Sequence, residues 1–156
     1  MALTNLVYPS GKQAIEGSAT YGGPIDWDAD PIYLMLVTSN YTNLTLATAQ
    51  GHHFRSDVTG VAGAEASGTG YTAGGVQLTS VAIAASGNNA IVNAANASWA
   101  SSTITATGAV VFKRVGADLT TPADDPILCY LDFGGTISST AGTFTVNLSN
   151  GILLAS

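Results

Sequence analysis

The segment from Ser102 to Val115, "STITATGAVVFKRV", decides the fold class of this 156-residue chain. β-Branched residues alternate with small ones in its first half, which is typical of a strand with one buried face. Helix signals are scarce. Turn residues separate this segment from five similar ones, which are "PIYLMLVT" (31–38), "VQLTSVAIAA" (76–85), "AIVNAA" (90–95), "PILCYLDF" (126–133) and "GTFTVNLS" (142–149). The sequence therefore predicts an all-β protein, a single-domain β-sandwich or a jelly-roll-like barrel.

Two parts of the chain differ in pattern. Residues 1–22 have little apolar periodicity and several glycines, so we expect an N-terminal arm that becomes ordered only on a neighbouring molecule and is dispensable for folding. Residues 23–156 carry the strand pattern and are predicted to form the β-sandwich domain. Within this domain, "SGNN" (86–89) is a hairpin signal, because Gly and Asn tolerate positive φ.

The charge content restricts the possible partners. Charged residues make up 9% of the chain, against roughly 25% in an ordinary soluble domain. The formal net charge of −6 repels phosphate backbones and anionic lipids, so we expect neither nucleic acid nor membrane as a partner. The apolar runs are far shorter than the ~20 residues of a spanning helix. The N-terminal residues lack the apolar region of a signal peptide, which favours synthesis and folding in the cytoplasm.

Cys129 is the one cysteine of the chain, so an internal disulfide is impossible. Its setting, "ILCYLDF", alternates like a strand with a buried face. We expect Cys129 in the core, where free cysteines are usually found.

The block "SGTGYTAGG" (67–75) fits the letters of a dinucleotide-binding loop. Such a loop follows a strand, opens a helix and has an acidic residue about 20 positions later. Here a strand follows the block, and Asn88 and Asn89 lie where the acid would be. We therefore interpret these glycines as residues that allow a tight backbone turn, and we expect no cofactor.

Asp26, Asp28 and Asp30 resemble the start of a calcium loop. Pro31 stands in place of the turn glycine and Val37 in place of the bidentate Glu, so the ligand pattern is incomplete. The sequence favours a solvated acidic turn that leads into the next strand.

His52 and His53, together with Asp57, raise the alternatives of a metal site or an acid–base pair. Adjacent side chains of an extended segment point to opposite faces, and no third His or second Cys completes a zinc site. No nucleophile motif accompanies them. We predict that the chain is not an enzyme and that the histidines lie at an interface or in solvent. A glycan hydrolase is the weakest alternative, since Asp57, Glu65 and Asp132 lie in no recognisable motif.

Five blocks, in the same order, resemble a family of small virion proteins of tailed bacteriophages. The blocks are "GGPIDWDADPIYLMLVTSNYT", "SGTGYTAGGVQL", "ASWASSTITATGAVVFKR", "PILCYLDFGG" and "GTFTVNLSNGILLAS". The resemblance covers about residues 20–156, and its most specific block is 67–76. It implies a structural role in the virion and transfers no catalytic residue.

The expected function is that of a capsid decoration or cement protein, an all-β module on the capsid surface that binds the major capsid protein. We expect a homo-oligomer, and the symmetry of the lattice favours a trimer. A protein of the tail, the baseplate or a receptor-binding fibre is the alternative. We expect the long segment 40–75 and the termini to supply most contacts. The candidate interface residues are Trp27, His52, His53, Phe54 and Tyr71.

Overall fold

The computed structural model of the chain describes residues 4–8, 15, 17, 19–21, 23–42, 52–86, 89–149 and 151–155. A 3-10 turn (Ala19–Tyr21) and a short helix, α1 (Arg55–Thr59), accompany a larger set of strands. No helix among these residues is long and apolar enough to cross a membrane. The strands are β1 Thr4–Val7, β2 Ile32–Val37, β3 Gly68–Thr69, β4 Val76–Gln77, β5 Ala82–Ser86, β6 Asn89–Asn93, β7 Ala97–Lys113, β8 Ile127–Ser138, β9 Gly142–Val146 and β10 Leu153–Ala155. The all-β prediction is confirmed.

The strands form two antiparallel sheets that pack together. The larger sheet has the order β1-β8-β7-β2-β4, and β3 and β9 add to β7 outside this path. The smaller sheet has the order β10-β6-β5. The larger sheet ends at β1 and β4, which do not pair with each other, so the closed barrel that we considered is not formed.

Strand β7 changes its environment along its length. Its first half pairs with β3 and β9, and buried and exposed side chains largely alternate there. Its second half lies between β2 and β8, and all four side chains from Ala109 to Phe112 are fully buried. The alternation in "STITAT" therefore marks a strand covered on one face, whereas "AVVF" marks a strand covered on both.

The smaller sheet covers one face of the larger sheet. Side chains from the two sheets form one core cluster, which contains Leu34, Val111, Cys129 and Phe144 from the larger sheet and Val92 from the smaller one. Cys129 is fully buried, as predicted, and its thiol donates to the carbonyl of Ile152 at 3.2 Å.

Helix α1 and the chain on either side of it cover the other face. Met35, Val110 and Phe112 project to this side and pack with Val58 and Ala64 in a second cluster. We expect residues 40–75 to supply most contacts, and this stays a prediction. Their described parts, 40–42 and 52–75, contain helix α1 and the fully buried side chains of Val58 and Ala64, because the larger sheet has a second apolar face that needs cover.

The expectation that the N-terminal arm does not pack on the rest of the chain is wrong for Thr4–Tyr8. Strand β1 pairs along its whole length with β8, from Cys129 to Asp132, and Tyr8 is fully buried. A four-residue edge strand gains its stability from backbone hydrogen bonds and one large aromatic side chain, and neither requires apolar periodicity. The boundary between residues 22 and 23 stays a prediction, and most of the other residues before it lie outside the described ranges.

The predicted strand 76–85 is two strands in different sheets. Strand β4 pairs with β2, the backbone turns at Ser80 with a φ of 53°, and β5 then pairs with β6 in the smaller sheet. The predicted hairpin is confirmed by its register, in which Ser86 lies opposite Asn89. Its two central residues, 87 and 88, lie outside the described residues.

Candidate interaction surface

The glycine block forms tight backbone packing, as we interpreted it. Gly68 pairs with Ile104 in β7, and a Cβ at Gly68 would lie 2.0 Å from the carbonyl oxygen of Thr103. A Cβ at Gly75 would lie 1.9 Å from the carbonyl oxygen of Leu34. Both glycines have positive φ, and the next element is strand β4. The glycines therefore permit close contact between strands.

Tyr71, a predicted interface residue, fastens this block to the core. Its hydroxyl donates to Glu65 Oε1 at 3.0 Å and accepts from the amide of Leu36 at 3.2 Å. Its ring packs against Trp99, with 5.9 Å between centroids. Burial, and then the Glu65 carboxylate, raise the pKa of Tyr71. The same Glu65 oxygen accepts the amide of Gly74, so these contacts hold the turn together.

The acidic segment before β2 is a hydrogen-bonded turn. Asp26 Oδ1 accepts the amides of Asp28 and Ala29, each at 3.1 Å. Asp30 Oδ2 accepts the amide of Asp26 at 2.8 Å and forms an ion pair with Lys113 Nζ at 2.9 Å. The predicted acidic turn is confirmed. Among the described residues, no group of three or more His, Cys, Asp and Glu is arranged to hold a metal ion.

The histidine pair lies directly before α1. The Asp57 carboxylate accepts hydrogen bonds from the amides of His53 and Phe54 at 2.8 and 2.9 Å, so it caps the N-terminus of the helix. His52 Nδ1 lies 3.4 Å from the hydroxyl of Tyr41, and burial lowers the pKa of His52. His52, His53 and Phe54 are half-buried, and their role at an interface stays a prediction.

A buried ion pair that sequence reasoning missed anchors α1 to the loop before β8. Arg55 Nε donates to Asp125 Oδ2 at 2.8 Å, and Arg55 Nη2 donates to the carbonyl of Leu119 at 2.6 Å. The second carboxylate oxygen accepts the amide of Val115 at 2.8 Å. The guanidinium also lies over the ring of Phe112, 5.2 Å from its centroid. Because the partners are distant in sequence, no local pattern identified them.

Both tryptophans belong to the core. Trp99 is buried, as predicted, and meets Phe144 edge to face at 6.1 Å between centroids. Trp27, which we predicted at an interface, is 5% exposed and packs in the same cluster, and its role at an interface stays a prediction.

A shallow cleft of about 300 Å³ lies beside β8. Burial raises the pKa of both Tyr41 and Tyr130 to about 12. Asp132, a carboxylate of the lining, accepts the amide of Gly134 with Oδ1 at 2.8 Å. The lining residues are Ser39, Tyr41, Thr42, Thr107, Tyr130, Asp132 and Gly135.

Charge is distributed very unevenly over the molecule. The sequence from Val76 to Phe112 and the sequence from Phe133 to Ser156 contain no Asp, Glu, Lys, Arg or His. Folding brings these stretches together, because the first part of β7 pairs with β9, and β10 pairs with β6. We call the surface formed by these two stretches the charge-free region. The two gaps in the charge pattern are visible in the sequence, but only the strand pairing shows that they are neighbours.

Small hydroxyl side chains cover much of this region. Thr103 and Thr105 on β7 are exposed, and so are Thr143 and Thr145 on β9. Thr105 shares a hydrogen bond of 2.9 Å with Ser138 on β8. Such groups have few rotamers to lose and carry no charge, so their desolvation on contact with another protein costs less free energy than that of charged side chains.

Strand β5 is an open edge within the charge-free region. Among the described residues its strand neighbour is β6, and Ala82, Ile83, Ala84 and Ala85 are all exposed. Ile83 is 57% exposed, more than any other large hydrophobic side chain in the described part of the chain. It lies opposite Val92, which is buried in the core, so both side chains point to the same face of the sheet.

Comparison of the chain with protein-family models, with curated proteins and with solved structures finds no match.

Proposed function

We propose that this chain is a structural protein of a tailed-phage virion, a capsid decoration protein that binds the assembled lattice of the major capsid protein. The charge-free region carries the proposal, since it offers a broad, neutral, hydroxyl-covered β surface suited to contact with protein. The resemblance of the five quoted blocks to virion proteins directs the proposal to the virion.

The physical role follows from mass action. A protein that binds the assembled shell but not its separate subunits shifts the equilibrium towards the shell, and many copies add their effects. A rigid module is well suited to this role, because little conformational entropy is lost when it binds. Here the two sheets and the layer around α1 fix both faces of the larger sheet.

Oligomerisation is part of the proposal. A shell with icosahedral symmetry offers both three-fold and two-fold positions, and a cyclic oligomer matches either. The trimer expected from lattice symmetry is therefore one of two simple arrangements, and the mass of the free protein decides between them.

The test uses a phage that encodes this chain. The gene for the chain is deleted, and heads and tails of the resulting mutant are separated. Purified full-length protein is added to each fraction, and bound protein is measured after sedimentation. We expect saturable binding to heads, no binding to tails, and a rise in the temperature at which heads release DNA. Binding to tails alone would favour the tail, baseplate or fibre alternative, and binding to neither would refute the virion proposal.

Two lysine substitutions make the test specific for the surface. Thr145→Lys places a charge in the charge-free region at an exposed position of β9, and we expect weaker binding to heads because the lysine must be desolvated. Ala123→Lys places the same charge in the exposed loop before β8, where charged residues already occur, and should bind like the unchanged protein. Equal binding by both variants would show that the charge-free region does not face the shell.

A further inference from the structure

The edge of β5 lacks the features that normally protect an exposed strand from pairing. Natural sheets protect such edges with charged residues, proline or a bulge. Strand β5 reads Ala-Ile-Ala-Ala-Ser, and its register with β6 is continuous from Ala82 to Ser86. An unprotected edge of this length is a ready site for main-chain pairing with another strand.

The apolar surface at this edge continues the core. Ile83 lies on the face of the smaller sheet that carries Val92 into the core cluster, but it lies one strand further out. A further strand beside β5 would extend this face and cover Ile83.

The geometry points to a second copy of this chain as the partner, with β5 of one copy pairing antiparallel to β5 of the other across a two-fold axis. The two smaller sheets then form one six-stranded sheet in the order β10-β6-β5-β5-β6-β10. This pairing goes beyond the proposed function and does not depend on it, since it involves no shell protein.

The charge distribution permits a second copy as the partner at this edge. Each copy has a net charge of −6, so two copies repel each other through most of their surface. The charge-free region is where two copies can approach without placing charged side chains against each other. An isologous contact also needs only one surface patch that complements itself.

The side-chain sizes fit this pairing. Complete overlap of the five residues of β5 places the two-fold axis at Ala84, so that Ala84 of one copy lies opposite Ala84 of the other copy. Ile83 of each copy then lies opposite Ala85 of the other. A large side chain therefore meets a small one on the core face, and no two large side chains are in direct opposition.

The first test measures the mass of the full-length protein by sedimentation equilibrium over a wide range of concentrations. We expect a dimer for the unchanged protein and a monomer for Ile83→Lys, with the same circular dichroism spectrum for both. Ile137→Lys is the matched control, because Ile137 is also an exposed isoleucine, at 39%, but lies on β8. It should remain a dimer. A monomeric or trimeric unchanged protein, or a dimeric Ile83→Lys variant, would overturn the proposal.

The second test examines the register. The variant Ala84→Cys should form an intermolecular disulfide under mild oxidation, because directly opposed residues of antiparallel strands have Cα atoms within disulfide range. Cys129 is fully buried and does not compete. Thr143→Cys, exposed on β9, is the control and should remain unlinked. Cross-linking of Thr143→Cys without cross-linking of Ala84→Cys would refute the β5 pairing.

The same variants separate this inference from the proposed function. If Ile83→Lys is monomeric but still binds heads, the pairing of β5 stands and is not needed for attachment. If the unchanged protein is monomeric and Ile83→Lys fails to bind heads, the partner of β5 is the shell and the second-copy proposal is wrong.

Discussion

Replacement of Arg55 by methionine should destabilise the protein strongly. The Arg55 side chain is 5% exposed and that of Asp125 is fully buried, and the pair is joined at 2.8 Å. Methionine keeps most of the apolar volume of the arginine side chain, so the packing against Phe112 is largely retained. The Asp125 carboxylate, however, loses its cationic partner and keeps only the hydrogen bond from the amide of Val115.

The magnitude follows from the burial of the carboxylate. Removal of one partner of a buried ion pair costs about 3–5 kcal/mol, because the other charge stays buried without compensation. The carbonyl of Leu119 also loses a charged donor. Since a domain of this size is stable by about 5–15 kcal/mol, the change takes a large share of the free energy of unfolding.

Urea titration followed by circular dichroism measures this loss. The double variant Arg55→Met with Asp125→Asn should be less destabilised than the sum of its two single variants, because it leaves no buried charge. The control is Lys113→Met, since Lys113 and Asp30 form an ion pair whose side chains are 17% and 19% exposed. It should lose no more than about 1 kcal/mol. A loss of less than about 1 kcal/mol for Arg55→Met, or strict additivity in the double variant, would refute this reasoning.

Three further predictions concern stability and reactivity. Gly75→Ala should lower the free energy of unfolding by more than about 2 kcal/mol, because its Cβ would lie 1.9 Å from a backbone oxygen. Gly134→Ala, also at positive φ but with open space around it, should lower it by about 1 kcal/mol. Thermal unfolding compares the two variants, and equal losses of stability would contradict the steric argument. Cys129 should not react with a thiol reagent in the folded protein, since it is fully buried and burial raises its pKa to about 12. Rapid modification without denaturant would contradict this prediction and show that β8 opens to solvent. Folding raises the pKa of Tyr41 and Tyr130 from 10.0 to about 12. The stability that depends on their protonated hydroxyls is therefore complete below pH 10 and is lost as the pH rises towards 12. Tyrosinate absorbance that developed fully near pH 10 in the folded protein would contradict their burial.

The fold class could be predicted because strand patterns depend on local sequence. Strands β2, β6, β7, β8 and β9 all lie within or overlap the segments singled out by alternation or β-branching. Very short strands escaped detection, since β1, β3 and β10 owe their existence to a neighbouring edge more than to their own residues. Alternation also could not show that "AVVF" in β7 is covered on both faces, because a continuous apolar run fits several environments.

Several contacts that stabilise the fold join residues distant in sequence. No spacing rule connects Arg55 with Asp125, and none connects Glu65 with its partners, Tyr71 and Gly74. The two uncharged stretches can be read from the sequence, but only the strand pairing shows that they lie side by side in one region.

Quantitative mass spectrometry of purified virions, from a phage that encodes this chain, compares its copy number with that of the major capsid protein. A decoration protein bound through the charge-free region should occur in a fixed ratio to the capsid protein, and this ratio should stay the same when tails are removed. A handful of copies per virion that are lost with the tails would contradict the capsid assignment, and absence from purified virions would contradict a virion role altogether.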